Sequence, residues 1–132
     1  MAKRGGKLVI ETFASRALRG NPLRDPHLRR VPVWLPPSYP DGGPYPVLYL
    51  LVGFTGTGMM HLDRAPWVEP IDERLNRLAA AGKLRDAIVV MPDCWTRYGG
   101  SQYLDSSATG RYETHVVKEL VPWIDGRYRT RR

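Results

Sequence analysis

The sequence predicts an α/β fold in which helices cover both faces of a partly parallel sheet. Residues 47–52 and 87–91 are apolar at successive positions, which is typical of strands that are covered on both faces. Residues 70–81 lie between these runs and 112–128 follow them, and both segments have apolar residues at helical spacing. The order strand, helix, strand, helix indicates parallel strands joined by crossover helices.

Two further strands are predicted before this parallel unit. Residues 7–18 alternate loosely between two faces, and residues 27–35 have apolar side chains at strand positions. Pro32 lacks a backbone donor, so we expect it at a sheet edge or in a bulge. Residues 36–43 are rich in Pro and Gly and predict a turn and loop. We therefore expect two antiparallel strands that lead into the sheet.

Proline and glycine mark the ends of both predicted helices. Pro70 suits a first helical position, and Gly82 suits the residue that ends a helix. Pro122 lies inside the second helix, where it removes a donor and clashes with the preceding turn, so we expect a kink or two short helices. That helix also needs a strand to return to, because strands and helices alternate in such a fold. We expect the sheet to be incomplete at its C-terminal end.

The composition fits a single domain, residues 1–132. Hydrophobic residues make up 42% of the chain and charged residues 25%, which excludes a disordered tail. The longest apolar run has six residues, so we expect no membrane partner. Cys94 is the single cysteine, and no apolar signal-peptide core follows the N-terminus. Both features favour a cytoplasmic location.

The net charge of +7 is concentrated near the N-terminus, where residues 1–32 contain eight Lys or Arg against two acidic residues. A nucleic-acid-binding module is one interpretation. No zinc-finger spacing or aromatic RNA-binding motif accompanies the charge, so we favour a solvated basic region and expect no nucleic-acid partner. His27, His61 and His115 lack metal-ligand spacing, and we expect neither a metal nor another cofactor. We expect His115 to be partly exposed on the last helix.

A glycine-rich segment follows the strand predicted at 47–52, with glycines at 53, 56 and 58. A phosphate-binding loop would end in Gly-Lys-Ser/Thr, and a dinucleotide-binding loop has a different glycine spacing. An oxyanion loop needs backbone N–H groups at the end of a central strand and small residues that let the substrate approach. The position after the third strand favours the oxyanion loop.

Several segments together resemble the putative-esterase family of α/β-hydrolases, which includes S-formylglutathione hydrolases (esterase D), feruloyl esterases, enterochelin esterases and mycolyltransferases. The matching segments occur in order: Tyr-Leu-Leu-Val-Gly-Phe-Thr-Gly-Thr-Gly at 49–58, Val-Val-Met-Pro-Asp at 89–93, Gly-Gly-Ser-Gln-Tyr at 99–103, Glu-Leu-Val-Pro-Trp-Ile-Asp at 119–125 and Tyr-Arg-Thr at 128–130. The resemblance divides the chain into a basic entering strand and loop, residues 1–26, and an esterase-like segment, residues 27–132.

This resemblance implies a partial α/β-hydrolase fold and a Ser-His-Asp esterase or acyltransferase that acts on a small-molecule ester or thioester. It implies that the backbone N–H of Phe54 forms half of the oxyanion hole, with Thr55 as the neighbouring candidate. The Gly-x-Ser-x-Gly elbow that carries the family's nucleophile occurs nowhere in these 132 residues. We interpret the chain as the N-terminal portion of such an enzyme and expect it to be inactive alone.

Polar and aromatic residues follow residues 87–91, at the strand end where open α/β sheets bind ligands. Cys94 lacks an elbow turn and a neighbouring base, which favours a structural thiol over a nucleophile. Four other residues of this loop are candidates for substrate binding, with loop packing as the alternative: Asp93, Trp95, Arg97 and Tyr98.

A non-catalytic function is the alternative to an enzyme. The chain would then be a pseudo-hydrolase binding module that uses residues 95–103 to hold an acyl or glycan ligand. Such a module has to complete its sheet, and pairing of an open edge with a second copy gives a homo-oligomer. A sharp unfolding transition favours this module, and exposed apolar surface favours a portion of a larger enzyme.

Overall fold

The main sheet has four strands in the order β1-β2-β4-β3 in the computed structural model, which describes residues 5–131. β1 (Lys7–Ala14) pairs antiparallel with β2 (Leu28–Leu35), and β2 pairs antiparallel with β4 (Ile88–Val90). β3 (Val47–Tyr49) pairs parallel with β4. The prediction of two antiparallel strands that lead into a parallel unit is confirmed.

Helices pack on both faces of this sheet because the side chains of each strand alternate between the faces. α1 (Ile71–Ala80) covers one face, where the buried residues are Trp34, Leu75, Val89 and Met91. The C-terminal helical segment covers the other face, where the buried residues include Val31, Val33, Ile88, Val90, Leu120 and Ile124. No helix among residues 5–131 is long and apolar enough to cross a membrane.

Pro32 lies inside the sheet, so the prediction of an edge or bulge position is wrong. β2 has a neighbour on each side, and Pro32 stands opposite Ile10 of β1 in unbroken register. On its other side the Pro32 carbonyl accepts the Met91 N–H at 2.9 Å, just beyond the last residue of β4. Pro32 therefore lies at the end of the β2–β4 ladder on the side where its N–H is missing. The missing N–H does not interrupt the ladder.

β3 is shorter and more exposed than predicted. It spans three residues, and the Leu48 side chain is 54% exposed. Within residues 5–131, β3 has β4 as its single strand partner, so the prediction of a central strand covered on both faces is wrong for the described chain. Past the last helix the chain returns to the sheet next to β3, where Thr130 forms a parallel bridge with Tyr45.

The C-terminal helical segment is unbroken and changes from a π-helix to an α-helix next to Pro122, where a kink stays a prediction. A π-helix, Thr114–Leu120, continues directly into α2 (Val121–Arg127), with Pro122 in the first turn of α2.

A short hairpin of β5 (Asp105–Ser106) and β6 (Gly110–Arg111) precedes the C-terminal helical segment. The Asp105 carboxylate accepts bonds from the Thr114 hydroxyl at 2.6 Å and the Thr114 N–H at 2.9 Å, and these bonds lower the pKa of Asp105.

Candidate oxyanion loop and adjoining pocket

The glycine-rich loop, residues 53–57, leaves the sheet after β3 as a tight turn. The Gly56 N–H donates to the Gly53 carbonyl at 3.1 Å, and a 3-10 helix, Gly58–Leu62, follows. A Cβ added at Gly58 would lie 2.2 Å from the Met91 carbonyl oxygen, so this position needs glycine. The close approach fixes the glycine-rich loop against the end of β4.

The two predicted oxyanion donors differ in whether their N–H groups are free. Thr55 has a φ of +73°, which a residue with a Cβ rarely adopts, and its N–H donates to the Gly99 carbonyl at 2.6 Å. In residues 5–131 no group accepts the N–H of Phe54. The geometry therefore distinguishes the two residues, and the oxyanion role of either stays a prediction.

The Phe54 side chain lies over a second loop, residues 94–103, and is 59% exposed. Cβ atoms added at Gly99 and Gly100 would lie 2.8 and 2.9 Å from ring carbons of Phe54. Glycine at both positions therefore lets the ring lie directly on the backbone of the second loop, and the rest of the ring faces solvent.

Side-chain hydrogen bonds to backbone groups hold the second loop. The Thr96 hydroxyl donates to the Gly100 carbonyl at 2.7 Å, and the Ser101 hydroxyl donates to the Cys94 carbonyl at 2.9 Å. The Tyr103 hydroxyl bonds both backbone groups of Val52, at the base of the glycine-rich loop. Sequence reasoning included Tyr103 in the ligand-holding segment 95–103 of the alternative binding module and in the Gly-Gly-Ser-Gln-Tyr motif, but gave it no separate role.

A pocket of about 90 Å³ lies between the two loops. Its lining residues are the residue before the glycine-rich loop and parts of the two loops: Val52, Gly53, Phe54, Gly56, Cys94, Gly100, Ser101, Gln102 and Tyr103. Phe54 thus lines the pocket, whereas none of the four predicted substrate-binding residues does.

Two of those four, Asp93 and Trp95, belong to a network around Arg29, a buried arginine that sequence reasoning did not select. The Arg29 guanidinium pairs with the Asp93 carboxylate at 3.4 Å and donates to the Trp95 carbonyl at 2.7 Å and the Tyr112 hydroxyl at 2.9 Å. The Trp95 N–H donates to Asp93 Oδ1 at 3.0 Å. These bonds fit the loop-packing alternative, and substrate binding by either residue stays a prediction.

The other two, Arg97 and Tyr98, lie on the outer surface of the second loop. The Arg97 N–H donates to both carboxylate oxygens of the buried Asp25, at 3.3 and 3.2 Å, and the guanidinium pairs with the same carboxylate at 3.4 Å. Tyr98 is exposed, and its N–H donates to the Thr96 hydroxyl at 3.2 Å. A contact of either side chain with substrate stays a prediction.

Cys94 has the environment of a structural thiol. Burial, and secondarily the charge of Asp93, raises the pKa of the Cys94 thiol to about 12, so the nucleophilic thiolate is scarce at neutral pH. In the described part of the chain, no group of three His, Cys, Asp or Glu side chains could hold a metal ion.

His115 is fully buried, so the expectation of partial exposure is wrong. Its ring lies 5.6 Å from the Phe13 ring and 6.3 Å from the Tyr112 ring. Neither ring nitrogen has a hydrogen bond of normal geometry to any described residue, although the Asp93 backbone is near enough to raise the pKa slightly. Burial, with the charge of Arg29, lowers the pKa of His115 to about 4, so the imidazole is neutral.

Comparison with known proteins gives one family and a set of solved structures. The model of the family described as putative esterase matches residues 26–132. A solved ferulic acid esterase is 29% identical with a TM-score of 0.72, over 96% of this chain and 45% of that chain. A search of the curated proteins found no match.

Two more distant structures share the fold. An S-formylglutathione hydrolase from Agrobacterium tumefaciens is 22% identical with a TM-score of 0.66, over 99% of this chain and 47% of that chain. A ferulic acid esterase from Anaeromyces mucronatus is 18% identical with a TM-score of 0.64, over 97% of this chain and 45% of that chain. The chain thus spans less than half the length of these solved esterases. Because the family model matches most of its residues, the chain belongs to the putative-esterase family.

Proposed function

We propose that this chain supplies the oxyanion-binding half of a site that hydrolyses carboxylic esters or thioesters. One observation carries the proposal: the N–H of Phe54, a residue that lines the pocket, has no acceptor among residues 5–131, whereas the next N–H is held by Gly99. A fixed backbone N–H can donate to the oxygen that becomes negative in a tetrahedral intermediate. Loss of one oxyanion donor from an acyl-transfer enzyme lowers kcat by about 10²–10³.

The nucleophile of this site has to come from outside these 132 residues. The sequence contains no Gly-x-Ser-x-Gly, and three of its five serine hydroxyls donate to other acceptors. Ser15 donates to the Glu119 carboxylate at 2.6 Å, Ser38 donates to a carboxylate oxygen of Asp86 at 2.6 Å, and the Ser101 hydroxyl donates to a backbone carbonyl. Since none of these acceptors is a histidine, none of these serines is activated as in a Ser-His-Asp site.

The substrate class rests on the family and on the open surface of the site. The ferulic acid esterase and the S-formylglutathione hydrolase suggest an aromatic acyl ester or a thioester as the substrate. The exposed Phe54 ring offers an aromatic surface beside the pocket, and aromatic groups favour stacked or edge contacts worth about 0.5–1.5 kcal/mol. Arg97 and Tyr98 can contact the part of a ligand that extends over the second loop.

Titration of the ¹⁵N-labelled chain with ferulate, an aromatic carboxylate, tests this function. We expect the Phe54 amide proton to shift and saturate, because a carboxylate oxygen accepts its hydrogen bond, while the Thr55 amide shifts far less because Gly99 holds it. Phe54→Ala loses the ring contacts but keeps the N–H, so its amide at position 54 should still shift, at higher ferulate concentration. Phe54→Pro lacks the N–H as well and should bind ferulate more weakly than Phe54→Ala, as measured from the ferulate proton signals. Equal ferulate binding by the two variants, or a silent Phe54 amide in the native chain, contradicts the proposal.

An assay of methyl ferulate hydrolysis tests the second part of the proposal, that the nucleophile lies elsewhere. We expect the isolated chain to hydrolyse the ester at the rate of buffer, because a donor without a nucleophile gives little catalysis. Cys94→Ala is the control, since Cys94 is the one thiol that lines the pocket. A rate above buffer that persists in Cys94→Ala contradicts this part of the proposal.

A non-catalytic binding module is the second candidate, and the combination of a pocket with a missing Gly-x-Ser-x-Gly favours it. Its sheet could be completed by a second copy, because β3 has an edge without a strand partner in residues 5–131. Light scattering and thermal unfolding separate the candidates. A dimer with one sharp transition supports the module, and a chain that binds dyes specific for exposed apolar surface supports a portion of an enzyme. A cytoplasmic location is part of either proposal.

A further inference from the structure

The Tyr103 hydroxyl makes two hydrogen bonds to one residue, Val52, which directly precedes the glycine-rich loop. It accepts the Val52 N–H at 2.9 Å and donates to the Val52 carbonyl at 2.5 Å. Val52 lies beyond the last residue of β3, where no neighbouring strand of residues 5–131 pairs with it. The Tyr103 hydroxyl bonds its N–H and its carbonyl and so replaces the hydrogen bonds of a neighbouring strand. The backbone entering the glycine-rich loop is therefore held by a side chain of the second loop.

The backbone around Tyr103 is strained, which indicates that surrounding contacts determine its position. Gln102 and Tyr103 both have a φ of +57°, and the Leu104 N–H donates to the Ser101 carbonyl at 3.3 Å. Two consecutive positive φ values at the centre of such a turn are typical of glycine and asparagine, and each costs about 1 kcal/mol or more in other residues. Strain of this kind concentrates at functional sites.

Tethers on both sides of Phe54 connect the glycine-rich loop to the second loop. The Tyr103 hydroxyl holds Val52 before Phe54, and the Gly99 carbonyl holds the Thr55 N–H after it. Rotation of the peptide that carries the Phe54 N–H requires movement of at least one neighbouring peptide, and both neighbours are hydrogen-bonded to the second loop. We propose that Tyr103 is a positioning residue that fixes the direction of the Phe54 N–H, an inference that rests on the function proposed above.

Removal of the hydroxyl alone tests this role. Tyr103→Phe keeps the ring, which packs against the buried cluster of Leu18, Cys94 and Tyr112. Tyr49→Phe is the matched control, because the Tyr49 hydroxyl is buried without a hydrogen-bond partner in residues 5–131. The readouts are the amide shifts and the hydrogen exchange of the glycine-rich loop, with and without ferulate. If Tyr103 only stabilised the fold, Tyr103→Phe would not change these values selectively in this loop.

In Tyr103→Phe we expect the Val52 N–H to exchange about tenfold faster, since one hydrogen bond of typical strength is lost. We also expect the ferulate-induced shift of the Phe54 amide to be lost, and neither effect in Tyr49→Phe. If Tyr103→Phe keeps the Val52 protection and the full ferulate response, Tyr103 is not a positioning residue. If the native chain itself does not respond to ferulate, the proposed oxyanion function fails, whereas Val52 exchange still reports the tether.

A second measurement on the native chain covers the case in which Tyr103→Phe does not fold. A tyrosine hydroxyl proton donated to the Val52 carbonyl should exchange slowly with water and show magnetisation transfer to the Val52 amide. A protected hydroxyl proton with that transfer supports the tether. A hydroxyl proton of Tyr103 that exchanges freely overturns it.

Discussion

The buried His115 should make the chain less stable at acidic pH, because its surroundings oppose protonation of the imidazole. Its pKa is about 4 in the folded chain and 6.5 in the unfolded chain, because burial and the charge of Arg29 oppose protonation, while Glu119 favours it weakly. The unfolded state therefore binds the proton more tightly. The contribution of His115 to the unfolding free energy is fully present above the unfolded pKa of 6.5, and it is lost as the pH falls towards the folded pKa of about 4.

The size of this loss follows from the two pKa values. Between about pH 7.5 and about pH 5, a group with these values loses about 2 kcal/mol of unfolding free energy. Carboxylates also titrate in this range, so the native chain has to be compared with His115→Leu. The leucine has a similar volume and no proton to bind, and no hydrogen bond of normal geometry to the described residues is lost with the imidazole.

Urea unfolding at both pH values measures the difference. We expect His115→Leu to be at least as stable as the native chain at the higher pH and to lose about 2 kcal/mol less than it at the lower pH. Equal losses in the two chains would show that the imidazole titrates normally. The prediction of a buried, neutral His115 would then be wrong.

Three further predictions concern the second loop and its support. Gly99→Ala places a Cβ on a backbone with a φ of +103°, against the Phe54 ring, and should destabilise the chain more than Gly82→Ala, where φ is +68° and the space is open. Gly82→Ala should cost about 1–2 kcal/mol of unfolding free energy in urea. Equal costs for the two substitutions would contradict the crowding at Gly99. Arg29→Met leaves the partners of a buried guanidinium unpaired and should cost about 3 kcal/mol, whereas Arg30→Met at the exposed neighbour should cost about 0.5 kcal/mol or less. Cys94 should react with a thiol reagent after unfolding, and rapid labelling of the folded chain would contradict its burial.

Sequence patterns predicted β2 and β4 because successive side chains alternate between two covered faces of the sheet, so both faces carry buried residues. In β2 and β4, Trp34 and Val89 face α1, whereas Val33 and Val90 face the C-terminal helical segment. The same reasoning misplaced His115, because helical spacing assumes 3.6 residues per turn. Residues 114–120 form a π-helix with a wider turn, so the direction of each side chain differs from that expected.

The place of the glycine-rich loop after β3 was predictable from the order of elements, but the state of each N–H was not. The Gly99 carbonyl, far away in the sequence, decides that the Thr55 N–H is taken while that of Phe54 is free. The tether from Tyr103 to Val52 depends in the same way on a contact between two distant loops. Local patterns contain no information about such contacts, because a loop's position depends on tertiary packing.

The central claim is that the Phe54 N–H is the free donor of an oxyanion site, and a crystal structure of the chain with benzylphosphonate tests it most directly. The phosphonate is tetrahedral and anionic, as is the intermediate of ester hydrolysis. We expect one phosphonate oxygen at about 3 Å from the Phe54 nitrogen, with the Thr55 N–H still bonded to Gly99. A Phe54 N–H that donates to a protein group, or a phosphonate bound away from the glycine-rich loop, would contradict the claim.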